Sequence, residues 1–433
     1  MHDVSNNDLL GKIPPRVIGS VALMMFLMVI IRCFVLVYWR QIQVDYIAYL
    51  DVSMNLLLGN DPYDLKNSLF RQWEEPPIPF PGYMLIYAAP SLLLYCLPFT
   101  HALVLALHLL LQFLVLSTVC LWTGQRLGWL RTWSDIMAPG PRQLGMSFLF
   151  CIICNSSPVL MALRHGQSAI LIAGAILYTV WYQGKASVMP PILFGIAAVL
   201  KYSMVPFLGF LFLVKRKIKL CLWGAAVFFF FAASPLLTGN NLVGLYRQYV
   251  DILKMSMQKG SFNSYALSGY NMIHIGFFKL DVMNKLLIAF FLFLFILVLF
   301  RACKNSRLRD ETVFFVLCVT MLPTYHRFYD LTVVVPFVCL VTCQALQAKR
   351  PRMAIPGLAI IGYVLLPMSL LNSLSGKIGP YCEKIIYTSS SMGVTNIFPL
   401  QAIVMIFITC WAFCLCWITP PNSSSYNNKG DVQ

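Results

Sequence analysis

Charged residues are scarce in this sequence. Only 11% of the 433 residues are Asp, Glu, Lys or Arg, and the acidic ones number just 16. Hydrophobic residues make up 59% of the chain and the mean hydropathy is +0.74, far outside the usual composition of soluble domains. A soluble enzyme is therefore excluded, and we expect an all-α polytopic membrane protein.

The short motifs of nucleotide-dependent and metal-dependent enzymes are also missing. The sequence contains no P-loop, no Rossmann fingerprint and no HExxH motif. Its 14 cysteines lie almost entirely in apolar runs, where a thiol behaves as a small hydrophobe. Cys151 and Cys154 have CxxC spacing, but they sit within an apolar helix and lack polar neighbours. We therefore expect no disulfide framework, no metal site and no cofactor.

Apolar runs of membrane length fill most of the chain. Runs of roughly 17 to 25 residues can cross a hydrocarbon core of about 30 Å as helices. About twelve are predicted, at residues 17–39, 82–98, 100–122, 146–163, 167–183, 188–214, 220–236, 283–301, 311–323, 331–347, 354–372 and 397–419. The first run is longer than a signal-peptide core and no cleavage site follows it, so it should remain as an anchor. Residues 1–419 are expected to form one membrane domain, and the polar tail 420–433 to be disordered.

Basic residues are concentrated in short loops, which indicates the orientation of the chain. The formal charge of +16 comes largely from clusters at 215–219, 301–309 and 349–352, the positive-inside pattern of cytoplasmic loops rather than a nucleic-acid footprint. The loops 40–81, 237–282 and 374–396 then face the outside. The loop 123–145 looks cytoplasmic by charge but external by counting. Either 188–214 is two short helices broken at 201–206, or an earlier span is miscounted.

Acidic residues collect in the loop 40–81, just after the first span. Asp45 should lie at the membrane surface, and residues 46–58 have the pattern of an amphipathic helix resting on the bilayer. Gly59 and Pro62 provide its stop signal. On these residues alone, Asp45 is either a functional carboxylate or a solvated residue that marks the exit from the membrane.

The order of several polar elements resembles glycosyltransferase family 87. The similar elements are Asp45 with Tyr49, Gly59–Tyr63, Pro76–Pro77, His165–Gln167, Gly195–Lys201 with Pro206, and Leu322–Asp330. The resemblance covers roughly residues 40 to 340. Members of this family are polyprenyl-phosphate-mannose-dependent mannosyltransferases and their relatives, within the C-type glycosyltransferase (GT-C) superfamily.

This resemblance implies a fold, a reaction and a base. The fold would be the GT-C fold, with an amphipathic helix in the first external loop. The enzyme would be an inverting hexosyltransferase that moves a hexose, mannose in the family, from polyprenyl phosphate to a lipid-linked or glycan acceptor, with its site facing the periplasm or exterior. The short loops of the sequence favour a bacterial inner membrane. Asp45 matches the catalytic base, which must take a proton from a hydroxyl group of high pKa.

Other polar residues are candidates for binding the substrates. His326 and Arg327 sit in a short polar break between two apolar runs, and Lys201 is embedded in a third. An ionisable residue at such depth is by default a functional hypothesis, here for holding the donor phosphate. Alternatively, Arg327 pairs with Asp330 and Lys201 extends to the interface. Tyr49, His165 and Gln167 are predicted to contact the sugar or the acceptor, although His165 and Gln167 could instead satisfy a helix end.

Two other classes of membrane protein fit parts of the sequence. A transporter or flippase for lipid-linked sugars also has many spans, but no internal repeat of the kind typical of transporters is apparent. A ligase or polymerase of lipid-linked glycans would be expected to depend on a basic external loop. Replacing Asp45 discriminates between these classes, because only a transferase that uses it as base should lose activity.

Overall fold

The structure is a computed structural model and is almost entirely helical. It describes residues 14–38, 43–70, 79–130, 140–183, 187–259, 272–273, 281–305, 308–322, 326–382, 389–391, 394–397 and 400–418. The helical content follows from composition, since a helix satisfies the backbone polar groups of an apolar segment within the segment itself. The all-α membrane architecture is confirmed at this level.

The helices alternate between long apolar rods and short pieces. In the first half they are α1 (Pro15–Tyr38), α2 (Val44–Leu57), α3 (Tyr83–Ile86), α4 (Ala88–Cys96), α5 (His101–Arg126), α6 (Pro141–Asn155), α7 (Ser157–His165), α8 (Ala169–Tyr182), α9 (Met189–Leu200) and α10 (Pro206–Val214). In the second half they are α11 (Ile218–Ala233), α12 (Leu242–Lys259), α13 (Asp281–Lys304), α14 (Asp310–Met321), α15 (Val335–Gln347), α16 (Pro351–Leu365), α17 (Met368–Cys382) and α18 (Leu400–Ile418).

Short 3-10 helices and strands complete the described segments. The 3-10 helices are Leu65–Asn67, Pro98–Thr100, Tyr202–Met204, Ser234–Thr238 and Phe328–Val333. Two small antiparallel pairs join β1 (Met272–Ile273) to β2 (His326–Arg327), and β3 (Ser389–Ser391) to β4 (Val394–Ile397). In the first pair Ile273 lies opposite His326. This pairing connects the loop after α12 to the polar break after α14.

Among the described residues, 4 helices are long and apolar enough to cross a membrane. Pairs of shorter helices joined at a bend also pass, and the number of candidate spans rises to 7 if each bent pair counts as one span. The long ones lie at Pro98–Arg126, Ile218–Thr238, Val282–Lys304 and Leu400–Ile418. The twelve predicted spans therefore exceed the segments that pass by length and composition, because several apolar runs form helices too short to cross alone.

Several predicted spans are broken, and two of the breaks bear on the orientation problem. The run 82–98 forms α3 and α4, of 4 and 9 residues, which at 1.5 Å per residue reach about 20 Å together. The run 188–214 bends by 119° between α9 and α10. The first alternative, two short helices broken near Lys201, is confirmed for 188–214, and 82–98 is also too short to cross the membrane.

The centre of the bundle is formed by helices buried on nearly every face. All but one residue of α14 and most of α8 and α15 are buried, whereas α11 and α13 expose large apolar side chains such as Trp223, Phe229 and Phe293. Exposed apolar faces on the outer helices are what a lipid environment requires.

The predicted helix after Asp45 exists but does not rest on the bilayer. Helix α2 is buried from Tyr46 to Leu56, including Asp51 and Asn55. Asp51 accepts a hydrogen bond from the Leu69 amide at 2.8 Å, so the following loop covers it. The interfacial interpretation is therefore wrong, because protein packs on both the polar and the apolar face of this helix. Gly59 does end the helix region, with φ of 74°.

Basic residues from distant parts of the sequence meet at one end of the bundle. Arg126 at the end of α5 pairs with Asp310 at 2.9 Å, and Trp181 at the end of α8 donates to the same carboxylate at 3.3 Å. Lys215 donates to the carbonyl groups of Ala302 and Asn305 at 2.7 and 2.6 Å. The ends of α5 and α8, the start of α14 and the turn after α10 therefore lie together, and we call this the basic end.

Candidate active site

Asp45 lies in the first turn of α2, where hydrogen bonds join the start of α2 to two other helices. The preceding Gln43 has a left-handed φ of 59°, and its backbone amide donates to the Arg164 carbonyl at 2.9 Å. Its side chain donates to the Leu105 carbonyl at 3.2 Å. The start of α2 is thus fixed to both α7 and α5, and the partial positive charge of the helix N-terminus favours a carboxylate here.

Four of the predicted residues form one cluster, which we call the Asp45 cluster. Gln167 donates through Nε2 to Oδ2 of Asp45 and accepts at Oε1 from the hydroxyl of Tyr49 at 2.7 Å. Nδ1 of His165 lies 4.0 Å from the same Oδ2. The Asp45 side chain keeps 26% of its surface exposed. The carboxylate is therefore oriented by its neighbours and still reachable from outside the protein.

Gly166 makes the approach of Gln167 possible. Its φ of 67° is left-handed, and a Cβ atom there would lie only 2.7 Å from Cβ of Tyr46. Glycine is suited to both conditions, because it has no side chain and tolerates positive φ. The residue also closes the C-terminus of α7, since Gly166 N donates to Leu163 O at 3.3 Å. The 165–167 turn thereby carries the side chains of His165 and Gln167 to one carboxylate.

A second group, which we call the Lys201 cluster, lies at the break between α9 and α10. Nζ of Lys201 lies 2.9 Å from Oδ2 of Asp330, and Nδ1 of His326 lies 3.1 Å from the same oxygen. Lys201 is 22% exposed, Asp330 2% and His326 0%. Burial raises the pKa of Asp330, but Lys201 and His326 outweigh burial and the net pKa is lowered. Asp330 is therefore a buried carboxylate between two basic groups.

The surroundings of the histidine in this cluster favour its neutral form. Burial lowers the pKa of His326, and the charge of Lys201 adds to this, although the hydrogen bond to Asp330 acts in the opposite direction. Its Nε2 is buried without a hydrogen-bond partner among the described residues. The Arg327 side chain lies outside the described residues. The phosphate-binding role of His326 and Arg327 thus stays a prediction.

Tyrosines connect the two clusters into one site. Tyr49 and Tyr83 meet edge to face at 5.0 Å, and the Tyr83 hydroxyl donates to the carbonyl of Leu200, next to Lys201, at 2.5 Å. The ring centroids of His165 and Tyr329, the residue before Asp330, lie 6.5 Å apart. Burial raises the pKa of Tyr49 well above its usual value, so its hydroxyl stays protonated and donates. One site therefore has a carboxylate on one side and an ammonium group on the other.

Two residues of this site escaped the sequence reasoning. Asp330 was considered only as a partner of Arg327, although its spacing of four from His326 allows the contact seen here. Tyr83 lies in a run interpreted as a spanning helix, and the structure places its hydroxyl on the carbonyl of Leu200, next to Lys201. Within the described residues there is no group of three or more His, Cys, Asp or Glu side chains that could hold a metal ion.

The site lies far from the basic end. Helix α5 contacts the 165–167 turn through Gln112 and ends at Arg126, 14 residues later, which corresponds to about 21 Å along a helix. Helix α8 begins beside the turn and brings Trp181 to Asp310. Both helices therefore separate the two ends by most of the thickness of a hydrocarbon core.

Comparison with known protein families gives a match. The model of glycosyltransferase family 87 matches residues 81–324, more than half of the chain. The chain belongs to glycosyltransferase family 87. This confirms the family to which the sequence was compared, and it makes the protein a membrane glycosyltransferase. No curated protein sequence and no solved structure matches it.

The family match covers part of the site. His165, Gln167 and Lys201 of this family 87 glycosyltransferase lie within the matched residues, whereas Asp45 and Asp330 lie outside them. The contacts of Gln167 with Asp45 and of Lys201 with Asp330 bring the outer segments to the matched one. The roles of the two carboxylates therefore depend on geometry rather than on the match.

Proposed function

We propose that the protein is an inverting glycosyltransferase that transfers a hexose, with mannose as the first candidate, from a polyprenyl-phosphate sugar to a lipid-linked or glycan acceptor. One observation carries this proposal. A partly exposed carboxylate, Asp45, is oriented by Gln167 within the same site as a partly exposed ammonium group, Lys201. Transfer from a sugar phosphate needs both a base for the acceptor and a cation for the departing phosphate.

The reaction follows from this pair of groups. Gln167 and His165 both approach Oδ2 of Asp45, and no described residue donates to Oδ1. In the proposal, Oδ1 takes the proton of the acceptor hydroxyl as its oxygen attacks the anomeric carbon. The bond from that carbon to the phosphate oxygen breaks on the opposite side, and its electron pair leaves with the phosphate. A single displacement inverts the anomeric centre.

Lys201 is the proposed partner of the phosphate. Its ammonium group has three N–H donors, and contact with Asp330 at 2.9 Å occupies one of them. The exposed part of the side chain can turn the others toward an anion. Asp330 and His326 then support Lys201 from the protein side. Tyr49 and His165 remain the proposed contacts of the sugar or the acceptor, and the reaction as proposed uses no metal.

The orientation of the site is also proposed from the two ends. Basic loops favour the cytoplasm, so the basic end, with Arg126 and Lys215, would be cytoplasmic and the site external. Because the α3–α4 unit is too short to cross, the chain leaves it on the external side, and α5 then crosses to the cytoplasm. The basic loop after α5 is therefore cytoplasmic, as its charge predicts. The proposal therefore places a multi-pass GT-C enzyme with about twelve spans in a bacterial inner membrane, with its site toward the periplasm.

The decisive experiment compares two aspartates of the same external loop. Asp45→Asn removes the base, and Asp64→Asn alters an exposed residue that only caps the turn at Lys66. Purified proteins are incubated with radiolabelled polyprenyl-phosphate hexoses and a membrane lipid extract. We expect Asp64→Asn to transfer like the wild type and Asp45→Asn to lose at least about 100-fold, in line with general-base catalysis.

Other outcomes separate the alternative functions. Equal transfer by both variants would refute the role of Asp45. A wild-type protein that moves labelled lipid across vesicle membranes without making product would support a flippase, and release of a whole glycan from its carrier would support a ligase. The orientation is tested separately by inserting an epitope between residues 130 and 140. Protection of this epitope in spheroplasts and exposure in inverted vesicles are expected.

A further inference from the structure

Helix α5 buries two polar side chains directly behind the Asp45 cluster. His108 and Gln112 are one helical turn apart, 5% and 0% exposed, within a span that is otherwise apolar on this stretch. Polar groups at membrane depth are costly unless they are satisfied by specific partners. Neither residue belongs to the substrate-facing groups described above, so their contacts indicate what they do.

Both residues hold the backbone of the 165–167 turn. Nε2 of Gln112 donates to the carbonyl of Gln167 at 2.9 Å and lies 3.0 Å from Nε2 of His108. Nε2 of His108 is also 3.3 Å from the carbonyl of Gly166. The His108 ring stacks on the ring of Tyr46, with centroids 3.7 Å apart and planes 5° from parallel. Each contact joins α5 to a segment that carries a functional side chain.

The two segments fixed in this way are those that must meet at the base. Tyr46 follows Asp45 in the chain, and the turn carries the Gln167 side chain that donates to it. A displacement of either segment would misalign that hydrogen bond, and a hydrogen bond weakens steeply as its geometry departs from linear. On the basis of the proposed function, we propose that His108 and Gln112 are positioning residues, which keep the turn and the first turn of α2 in register so that Gln167 orients Asp45.

The first test separates positioning from stability by kinetics. Gln112→Leu keeps the size of the side chain and removes its donor, while Thr123→Val removes a buried hydrogen bond internal to α5, from Oγ1 to the Val119 carbonyl. We expect kcat to fall about 10- to 100-fold in Gln112→Leu, as for other small misplacements near a reacting group, with KM for the donor within about twofold. Thr123→Val should retain wild-type kcat.

A double-mutant cycle tests whether the effect passes through Gln167. If Gln112 acts by placing that side chain, Gln112→Leu should have little further effect on kcat in a Gln167→Ala background, because interacting residues are not additive. Fully additive losses would contradict the proposed route. A loss of thermal stability that matches the loss of kcat, with equal changes in Thr123→Val, would instead indicate a structural role.

A second measurement does not depend on knowing the donor. A water-soluble carbodiimide modifies accessible carboxyl groups, and modification of Asp45 is followed by peptide mass spectrometry on the purified full-length protein. We expect several-fold faster modification of Asp45 in Gln112→Leu than in the wild type or Thr123→Val, and an unchanged rate at Asp64. Equal rates at Asp45 would overturn the proposal even if Asp45→Asn abolishes transfer.

If Gln112→Leu does not accumulate, His108→Phe replaces it. The phenyl ring can keep the stack on Tyr46 while the contacts of Nε2 are lost. The same fall in kcat and the same faster modification of Asp45 are expected, and wild-type values for both would refute the positioning role.

Discussion

Removal of the Lys201 ammonium group should destabilise the protein in a way that depends on pH. Nζ of Lys201 lies 2.9 Å from Oδ2 of Asp330, whose side chain is 2% exposed. Removing one partner of a buried ion pair typically costs about 3–5 kcal/mol, because the other charge is left uncompensated. The Lys201 side chain is itself 22% exposed, so water can reach its position. For Lys201→Met we therefore expect the lower end, about 3 kcal/mol.

The pH dependence has a definite sign. In the wild type, burial raises the pKa of Asp330, but Lys201 and His326 more than reverse this, so the stabilisation is present above the unfolded pKa of about 3.9 and is lost only as pH falls through the lower folded value. Without Lys201 the opposing cation is gone and burial should prevail. The folded variant then takes up a proton more readily than the unfolded chain. Its loss of stability relative to the wild type should therefore become smaller as the pH falls from 8 to 5.

The assay is denaturant unfolding in mixed detergent micelles, followed by tryptophan fluorescence at both pH values. Lys219→Met, which removes an exposed lysine of α11 at the basic end, is the matched control and should unfold like the wild type. The double variant Lys201→Met/Asp330→Asn should regain most of the lost stability, because no buried charge is left unpaired. A deficit below about 1 kcal/mol that is the same at both pH values is typical of an exposed pair and would refute this reasoning.

Three further predictions concern single contacts. Gly166→Ala should lose about 1–2 kcal/mol of stability and most transfer activity, because φ is positive there and the new methyl group would meet α2; thermal unfolding and transfer assays check both. Tyr49→Phe removes the hydroxyl that Gln167 accepts, so transfer should fall about 10-fold without loss of folding, as measured by kcat and by the yield of monodisperse protein. Asp310→Asn breaks the pair with Arg126 at the basic end, about 21 Å from the site along α5, and should lower the unfolding temperature while the specific activity of the folded fraction stays at the wild-type value.

Part of the site was accessible from the sequence, because local pattern and element order carry it. The order of polar elements that resembles family 87 points to Asp45, Tyr49, His165 and Gln167, and the structure brings all four together. Their mutual contacts could not be derived from the sequence. Tyr49 and Gln167, for example, are 118 residues apart and share a hydrogen bond, and no local pattern records such a separation.

The burial of α2 and the shortness of α3–α4 also depended on tertiary contacts. The apolar stripe of α2 suits a bilayer surface as well as a protein interior, and the loop that covers Asp51 from the other side decides between them. The run 82–98 is apolar enough to span, but it breaks near Tyr87. Its polar partners lie elsewhere: Ser53 donates to the Met84 carbonyl, and Ser91 to the Leu50 carbonyl.

Composition alone makes this protein a helical membrane protein, and its polar elements point to the family that the match confirms. A long continuous apolar run satisfies its own backbone groups in lipid by forming a helix, and that requirement is local. Which charges meet follows from the packing of the helices and cannot be derived from the sequence. Asp330 with Lys201, Gln112 with the 165–167 turn, and Arg126 with Asp310 are pairings between distant segments. Each pairing depends on how whole helices pack against one another. A polar contact is favoured over hydration by water only when packing buries both partners together.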